Sequence, residues 1–530
     1  MLLMLLGCTS SDYSLNLTPV VPLNQSQLFA ELDSVQVDFV KKSGDIGDPT
    51  DLGAPLTGEK LSAEGPLFEQ SYARIRGVKE GEAIAWGRTE LLPAQKRIQR
   101  NVLVGSSNGI GWLAAEPVGT VGGELTPLGG GRFLLSGGMY IDEANRKKPV
   151  TTDIIREIRL EDADAALSFA DFGTLPPYPD PTCVDCGTLT ARIGHHLTPM
   201  GGSDAGKLLL TGGTARYGSM LGDNSYYFPD DLPYTTDDAQ IYDVESGTWE
   251  PVIHDSTQRR IQRQGYRTRH LAAQMPDGGV ALFGGFADRD SWENPLVEVL
   301  VAGQREMKTI ELPEEFDIPG SFGAAAASTP EGVVICGGSS DLFDAELSSS
   351  SACVIVRSAS TVESFPSLGA PRSGLAMIGL PDGRIIATGG AEMPENPSNI
   401  VTAFFEGHLA SADLLIYENG VWEKLPGALK TPRANHSMAL LPDGKVLIYG
   451  GTSHYGHMGF PIDTEETVTL ECAQLFDPYT RALTSLEGCP DNVWGPAIAA
   501  DPEYGIVAAG GLVDVAQPTP GVAFFPGELP

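Results

Sequence analysis

The chain has few basic residues. Among 530 residues, 35 are Lys or Arg against 69 Asp or Glu, a formal net charge of −34. A surface of that sign repels DNA, RNA and anionic lipid headgroups, so no nucleic-acid partner is expected. It suits a soluble protein, and it favours divalent cations or cationic partners. No stretch approaches the ~18 consecutive apolar residues of a membrane-spanning helix, which leaves a lipid anchor as the only membrane contact. Several chemical signatures are also missing. There is no nucleophile elbow and no phosphate-cradling glycine loop. No acidic spacing matches the D-x-D-x-D-G calcium loop. A Cys183-x-x-Cys186 pair has no second such pair to complete a zinc ribbon.

Glycine and proline are plentiful, 63 and 39 residues, and apolar runs persist between them, so they mark tight turns and not disorder. The dominant pattern is a short apolar run that ends in two glycines. It appears at FLLSGG (ending Gly138), LLLTGG (Gly213), VALFGG (Gly285), VVICGG (Gly338), IIATGG (Gly390), VLIYGG (Gly451) and IVAAGG (Gly511), at intervals of 75, 72, 53, 52, 61 and 60 residues. Such a recurrence predicts a repeat architecture. Each run is too short for a helix and does not alternate, so it reads as a strand buried on both faces. Pro-acidic-Gly turns precede several runs: Pro276-Asp277-Gly278, Pro381-Asp382-Gly383, Pro442-Asp443-Gly444 and Pro330-Glu331-Gly332. A first strand lies before each turn. A third and a fourth follow the glycine pair, as at Ala239 to Tyr242 and Thr248 to Ile253 around the turn Asp243 to Gly247. Four antiparallel strands repeated seven times make a β-propeller.

With these residues in view the sequence resembles a kelch-type propeller over 106–530. The resemblance rests on the glycine pairs, on Tyr242 before Trp249 and Tyr417 before Trp422, and on Arg-x-x-His at Arg192/His195, Arg267/His270 and Arg433/His436. One unit carries Arg372 before Leu375 instead, and the units holding Val297 to Val301 and Cys353 to Val356 lack the Tyr and Trp. Because His195, His270 and His436 recur at one repeat position, they are expected to satisfy structural hydrogen bonds near the inner strands, not to catalyse. The last unit, with Ile506 to Gly511 and Gly521 to Phe525, is one strand short. The strand near Trp112 is expected to complete it and remove an open edge.

The fold class expected is therefore all-β: a seven-bladed kelch-type β-propeller preceded by a small β-sandwich-like domain over 33–105. There Val35, Val37 and Phe39 alternate with polar residues, and Tyr72 to Val78, Ala83 to Thr89 and Asn101 to Val104 add strands. This domain either spaces the propeller from the membrane or pads its edge. Residues 9–32, rich in Ser, Asn and Thr, read as a flexible tether. Residues 1–8 end in Leu5-Leu6-Gly7-Cys8, which resembles a bacterial lipobox and implies lipidation of Cys8. The apolar segment before it is shorter than a full signal, so the natural start is expected upstream. Thr9 after the cysteine implies, by the same resemblance, an exported lipoprotein of the outer membrane.

Six further cysteines, an even number in an exported chain, suggest disulfides. Cys336 ends a second strand and Cys353 sits in the third strand of the same unit; closing that loop contributes ~3 kcal/mol. Cys472 and Cys489 are similarly placed around a third and fourth strand. Cys183 and Cys186 read as a short structural disulfide, with redox exchange or half a zinc site as alternatives.

The connections after the glycine pairs are long and emerge on one face, together with the links between units. Variable loops on a rigid scaffold are where recognition is found. Their content is acidic and aromatic: Tyr217, Tyr226, Tyr227, Asp230, Asp231 and Tyr234 in one loop, Asp288 and Trp292 in another, Phe404 and Phe405 in a third, and Tyr455 in a fourth. Aromatic rings stack on sugars or peptide side chains, and carboxylates accept hydroxyl or ammonium donors. His454 and His457 flank Tyr455 and form the best metal candidate, although no third ligand can be named. The preferred reading is a non-enzymatic, envelope-anchored scaffold for a protein or glycan ligand, with no cofactor and no catalytic residue assigned. The alternative is an enzyme resembling the kelch-propeller copper-radical oxidases, or another carbohydrate-active enzyme, with copper or another divalent metal bound. Those oxidases use a Cys crosslinked to a Tyr, a second Tyr and two His. A sugar epimerase or lyase is a third possibility, but no acid and base pair commits the chain to it.

Overall fold

The computed structural model describes residues 13–528 except 42, 55–59, 66–70, 94–96, 114–121, 143–147, 161–167, 177–190, 214–238, 255–269, 286–296, 311, 313–318, 321, 340–348, 393–407, 456–472, 490–492, 494, 515–516 and 519–520. The chain is all-β and built of many small sheets, an arrangement consistent with a β-propeller. No helix among the described residues is long and apolar enough to cross a membrane.

Seven four-stranded antiparallel units appear among the described residues. Unit 1 comprises Glu124–Gly129, Arg132–Ser136, Ile154–Arg159 and Ser168–Thr174. Unit 2 comprises His196–Pro199, Lys207–Thr211, Ala239–Asp243 and Thr248–His254. Unit 3 comprises Leu271–Gln274, Val280–Phe283, Val297–Leu300 and Glu306–Ile310. Unit 4 comprises Phe322–Thr329, Gly332–Ser339, Cys353–Ser358 and Thr361–Phe365. Unit 5 comprises Ser373–Gly379, Ile385–Ala391, Leu414–Glu418 and Val421–Leu425. Unit 6 comprises Ser437–Leu440, Val446–Tyr449, Ala473–Phe476 and Leu483–Ser485. Unit 7 comprises Ala497–Asp501, Gly505–Ala509, Val522–Phe525 and, from far upstream, Gly111–Leu113. This last strand pairs Trp112 with Ala523, as the sequence led us to expect.

The second strands are buried along nearly their whole length, which explains their unbroken apolar composition. In the Pro-Asp-Gly turns the carboxylate has a defined task. Asp277, Asp382 and Asp443 each accept the backbone N–H two residues on, while the glycine takes a positive φ. Tyr242 stands directly opposite Trp249, and Tyr417 opposite Trp422. Each tyrosine also packs on a phenylalanine in the fourth strand of the preceding unit, Phe172 at 5.9 Å and Phe365 at 4.5 Å between ring centroids. The Tyr–Trp spacing is thus a hairpin pair that clamps one unit onto its predecessor.

Buried apolar side chains outside the N-terminal sheets fall into clusters that each draw on two consecutive units. Leu134 and Ile155 of unit 1 meet Leu208, Leu210 and Tyr242 of unit 2, for example. The series ends with a cluster of Phe133, Leu135, Val507 and Val522 that joins unit 7 to unit 1. First strands of successive units lie side by side in the same order, with Glu124–Gly129 beside Ala497–Asp501. Units 2 and 3 are joined further. Their fourth strands pair in parallel, Ile253 with Glu306, so the two make one eight-stranded sheet.

The N-terminal part consists of a three-stranded and a five-stranded sheet around one core that includes Leu15, Leu17, Val35, Val37, Ile75 and Ile98. It differs from expectation at its start. The tether expected over 9–32 is, over its described part, the strand Tyr13–Val20 and two short 3-10 turns. The strand runs parallel to Arg97–Leu103 and buries Leu15 and Leu17 completely. The physical reason is the Leu-polar-Leu alternation, hidden in a Ser- and Asn-rich context. This part is also fixed to unit 7. The Arg88 guanidinium lies over the rings of Tyr72, at 3.6 Å, and Tyr504, at 4.7 Å, and pairs with Glu503 at 3.2 Å. Asn24 donates to the Ile110 and Gly488 carbonyls and accepts from the Trp112 amide.

The glycine pairs explain why the repeat needs them. Both members have positive φ, +56° at Gly137 and +90° at Gly138. The N–H of the second glycine donates to a carbonyl of the turn that leads into the next unit: Gly138 to Arg192 (2.7 Å), Gly338 to Arg372 (2.7 Å), Gly390 to Arg433 (2.9 Å) and Gly451 to Val493 (2.8 Å). The first glycine lies under that same turn. A Cβ on Gly137 would lie 2.5 Å from the His195 ring and 2.6 Å from the Arg192 carbonyl oxygen. A Cβ on Gly383, at φ +91°, meets nothing within 4 Å. Gly137→Ala is therefore expected to cost roughly 3 kcal/mol, combining overpacking with a displaced peptide. Gly383→Ala should cost about 1 kcal/mol from its backbone alone. Urea unfolding of the two variants checks the ordering.

Candidate functional site

The turn before a first strand carries the Arg-x-x-His signature, so these residues stand just ahead of the strand and not within it. Arg192 and Arg433 are fully buried, and Arg372 nearly so. Each spans its own unit. Arg192 Nη1 donates to the Gly212 carbonyl (3.2 Å), Arg372 to Gly389 (3.0 Å) and Arg433 to Gly450 (3.0 Å). The histidine reaches back to the preceding unit. His195 Nε2 meets Ser136 Oγ at 2.9 Å, His270 Nε2 meets Thr211 Oγ1 at 2.8 Å, and His436 Nε2 meets Thr388 Oγ1 at 2.6 Å. The hydroxyl always stands immediately before a glycine pair. At the junction of units 4 and 5 both partners change together: Cys336 replaces the hydroxyl and Leu375 the histidine. Burial holds the His195 imidazole down to about 3, helped by the charges of Arg192 and His196. Burial and the charge of Arg433 lower His436 in the same sense. Both rings are neutral near physiological pH and serve as hydrogen-bond ties, the structural role read from their recurrence.

Two carboxylates, the buried Asp204 and the partly buried Asp413, hold the scaffold that carries the loops. Asp204 accepts from Lys207 (2.9 Å), from both terminal nitrogens of Arg305 (3.1 and 3.2 Å) and from the Gly303 amide (2.5 Å), tying unit 2 to unit 3. Asp413 in unit 5 accepts from Arg372 and Lys424, both at 2.8 Å. Burial raises each pKa, but the bonds from Arg305, Gly303 and Lys207 in one case, and from Arg372, Lys424 and Ser411 in the other, outweigh it. Both carboxyls are held near about 2.

All the glycine pairs stand at the same end of their second strands, so the connections that follow them leave toward one side. Part of that side is described. A hairpin of Met139–Asp142 with Lys148–Thr151 follows the first pair, and one of Leu512–Asp514 with Gln517–Pro518 follows the last. Between them on the repeat, His408–Leu409 from unit 5 pairs antiparallel with His454–Tyr455 from unit 6. In register, His408 is opposite Tyr455 and Leu409 is opposite His454. The structure thus brings together backbone from two candidate loops that the sequence treated separately. Tyr217, Tyr226, Tyr227, Asp230, Asp231, Tyr234, Asp288, Trp292, Phe404, Phe405 and His457 lie outside the described residues, as do Cys8, Cys183, Cys186 and Cys472. Cys336 and Cys353 form the expected disulfide across directly paired positions. Cys489 is disulfide-bonded.

One cluster escaped the sequence reading. Glu124 opens the first strand of unit 1 and His196 the first strand of unit 2, and the two side chains meet at 3.5 Å. The available signal was the doublet His195-His196. Adjacent residues at a strand start point to opposite sides, so only one of the two could fill the buried repeat position.

No protein-family model matches the chain, and no curated protein matches it. Among solved structures, YjhT is similar with a TM-score of 0.43 and 13% identity, covering 70% of this chain and 99% of its own. A fungal alcohol oxidase of the AA5 family, solved in complex with copper, is similar with a TM-score of 0.49 and 13% identity, covering 79% of this chain and 76% of its own. Both scores lie below the level at which a shared fold follows, so no property of either passes to this chain.

The carboxylates give a pH expectation. A carboxyl lowered on folding stabilises the native state above its unfolded value of 3.8, and that stabilisation is lost as the pH falls toward about 2. Asp204→Asn and Asp413→Asn should each cost of order 2 kcal/mol at neutral pH and flatten the acid limb of the stability curve over that window. Unfolding measured across that window checks both.

Proposed function

We propose that the seven units are the blades of a closed, kelch-type β-propeller, and that the protein is a non-enzymatic binding scaffold. Its ligand, a protein or a glycan, would be held by the long loops that follow the glycine pairs. One observation carries this reading. Four of the glycine pairs, ending at Gly138, Gly338, Gly390 and Gly451, are bonded to the turn of the next unit, so the loops after them leave from buried roots on a common side. The cyclic order of the inter-unit cores supports closure, with Gly111–Leu113 as the final strand. The loops themselves supply acidic and aromatic side chains suited to sugar rings, hydroxyls and ammonium groups.

The same reading places the protein in the cell envelope as an outer-membrane lipoprotein anchored through Cys8. The bonded states of Cys336, Cys353 and Cys489 fit an oxidising compartment. Labelled fatty acid supplied to cells producing the protein from its own gene should be incorporated, and Cys8→Ser should abolish the label. An unlabelled wild-type protein would end the anchor assignment. For the ligand, a glycan and outer-surface protein array should give a hit that Trp292→Ala or the Tyr226→Ala/Tyr227→Ala pair weakens by about tenfold or more, since an aromatic anchor contributes ~2 kcal/mol. Hits that survive all these changes would move the site away from the loops.

A second reading is favoured by the register of His408 with Tyr455 and of Leu409 with His454. It sets His408 directly across from Tyr455, with His454 one position along on the alternate face, so an imidazole and a phenol position of the kinds used for copper or another divalent metal in an oxidase-like or other carbohydrate-active enzyme come into register. Metal analysis of the purified protein separates the two. Stoichiometric copper together with an aldehyde formed from a primary alcohol would replace the scaffold reading.

A further inference from the structure

His196 occupies a position where three units meet. Its Nδ1 lies 3.5 Å from the Glu124 carboxylate of unit 1, and its Nε2 lies 2.7 Å from the backbone carbonyl oxygen of His270, at the threshold of unit 3. Its ring stands edge-on to the His270 ring, 84° between planes and 4.9 Å between centroids. Both groups facing the ring nitrogens are pure acceptors. A neutral imidazole carries one N–H and can satisfy one of them; an imidazolium carries two and satisfies both. The geometry is complete only for the cation.

We propose that His196 is a proton-operated tie between units 1, 2 and 3: charged, it bonds both neighbours, and neutral, it releases one of them. The side chains of His196 and Glu124 are 26% and 31% exposed, so protons reach the pair from solvent. Among the described residues, the other charged or titratable groups around it have partners of their own. From unit 3, His270 faces the ring and has its own Nε2 bound to Thr211. On the same segment His195 turns away to Ser136, and the Arg192 cation is bound to the Gly212 and Pro176 carbonyls. The adjoining strand Lys207–Thr211 places Thr211 opposite His196, and the described strand Leu271–Gln274 of unit 3 carries no titratable side chain.

Burial lowers the His196 pKa, but the Glu124 charge and the bond to the His270 carbonyl outweigh it and leave it raised above the ordinary 6.5. A histidine raised on folding stabilises the native state fully below its unfolded value, and that contribution is lost as the pH rises through the folded value. The tie is thus closed on the acid side and opens on the alkaline side, opposite in sense to Asp204 and Asp413. Its position gives it reach. Glu124 is paired in register with Ser136 and His196 with Thr211, each immediately before a glycine pair. Opening the tie therefore loosens the roots of the loops over 139–152 and 214–238, whatever those loops bind.

The test uses the full chain with isotope-labelled histidine, followed by NMR, the His196 signals being assigned by their loss in His196→Gln. Both ring nitrogens of His196 should be protonated below pH 6.5, with deprotonation above that value, and Glu124→Gln should lower the midpoint. A midpoint at or below 6.5, or a single ring N–H on the acid side, overturns the proposal. As a second measurement, amide hydrogen exchange in 124–129 and 270–274, corrected for intrinsic rates, should lose protection as the pH passes that midpoint in the wild type. It should stay flat over the same range in His196→Gln. Identical pH dependence in the two proteins also overturns it.

Discussion

The structure depends on one close approach: a peptide carbonyl of one unit seated where a side chain would begin on the glycine pair of the unit before it. That contact requires glycine, because a Cβ on Gly137 or Gly389 would enter the turn that carries Arg192 or Arg433. It also fixes the chemistry beside it. The residue before the pair faces the turn, so a hydroxyl there meets a histidine, and where Cys336 takes that place Leu375 stands in for the histidine. Arg192, Arg372 and Arg433 then bridge their turns to their own glycine pairs, which ties those three junctions on both sides.

Packing follows the same logic. The apolar clusters lie between units and not within them, so a unit alone would expose most of what it buries. Gly111–Leu113 supplies the fourth strand of unit 7, and the N-terminal sheets are fixed to that unit through Asn24 and Arg88. The scarce cations serve this interior. Arg192, Arg372 and Arg433 sit inside junctions, Arg305 and Lys207 hold Asp204, and Arg74 and Arg76 hold the buried Asp38. Those carboxylates are buried together with the cations that hold them.

Much of this was legible from sequence because its signals are short-range. The apolar run before each glycine pair announced a strand buried on both faces. Pro-Asp-Gly announced a turn, and Tyr242 and Trp249 sat at a hairpin spacing that the structure makes a direct pair. Recurrence alone gave His195, His270 and His436 a structural role. Less legible were partnerships between segments distant in the chain. Leu15 and Leu17 alternate as a strand should, yet their Ser- and Asn-rich context resembles a linker until Arg97–Leu103 lies beside them. Of the candidate loop residues, only His454 and Tyr455 are positioned by the described structure, through backbone pairing with His408 and Leu409.

The sequence by itself determined the repeat, its strands and its turns, because hydrophobic period and the conformational demands of glycine and proline act over a few residues. Only the tertiary structure decided which ends meet. It joined units 2 and 3 through their outer strands, bent a supposed tether into a sheet, and set His196 between the Glu124 carboxylate and the His270 carbonyl. Those outcomes depend on distances between residues far apart in the chain, and such distances exist only once the units have packed around one another.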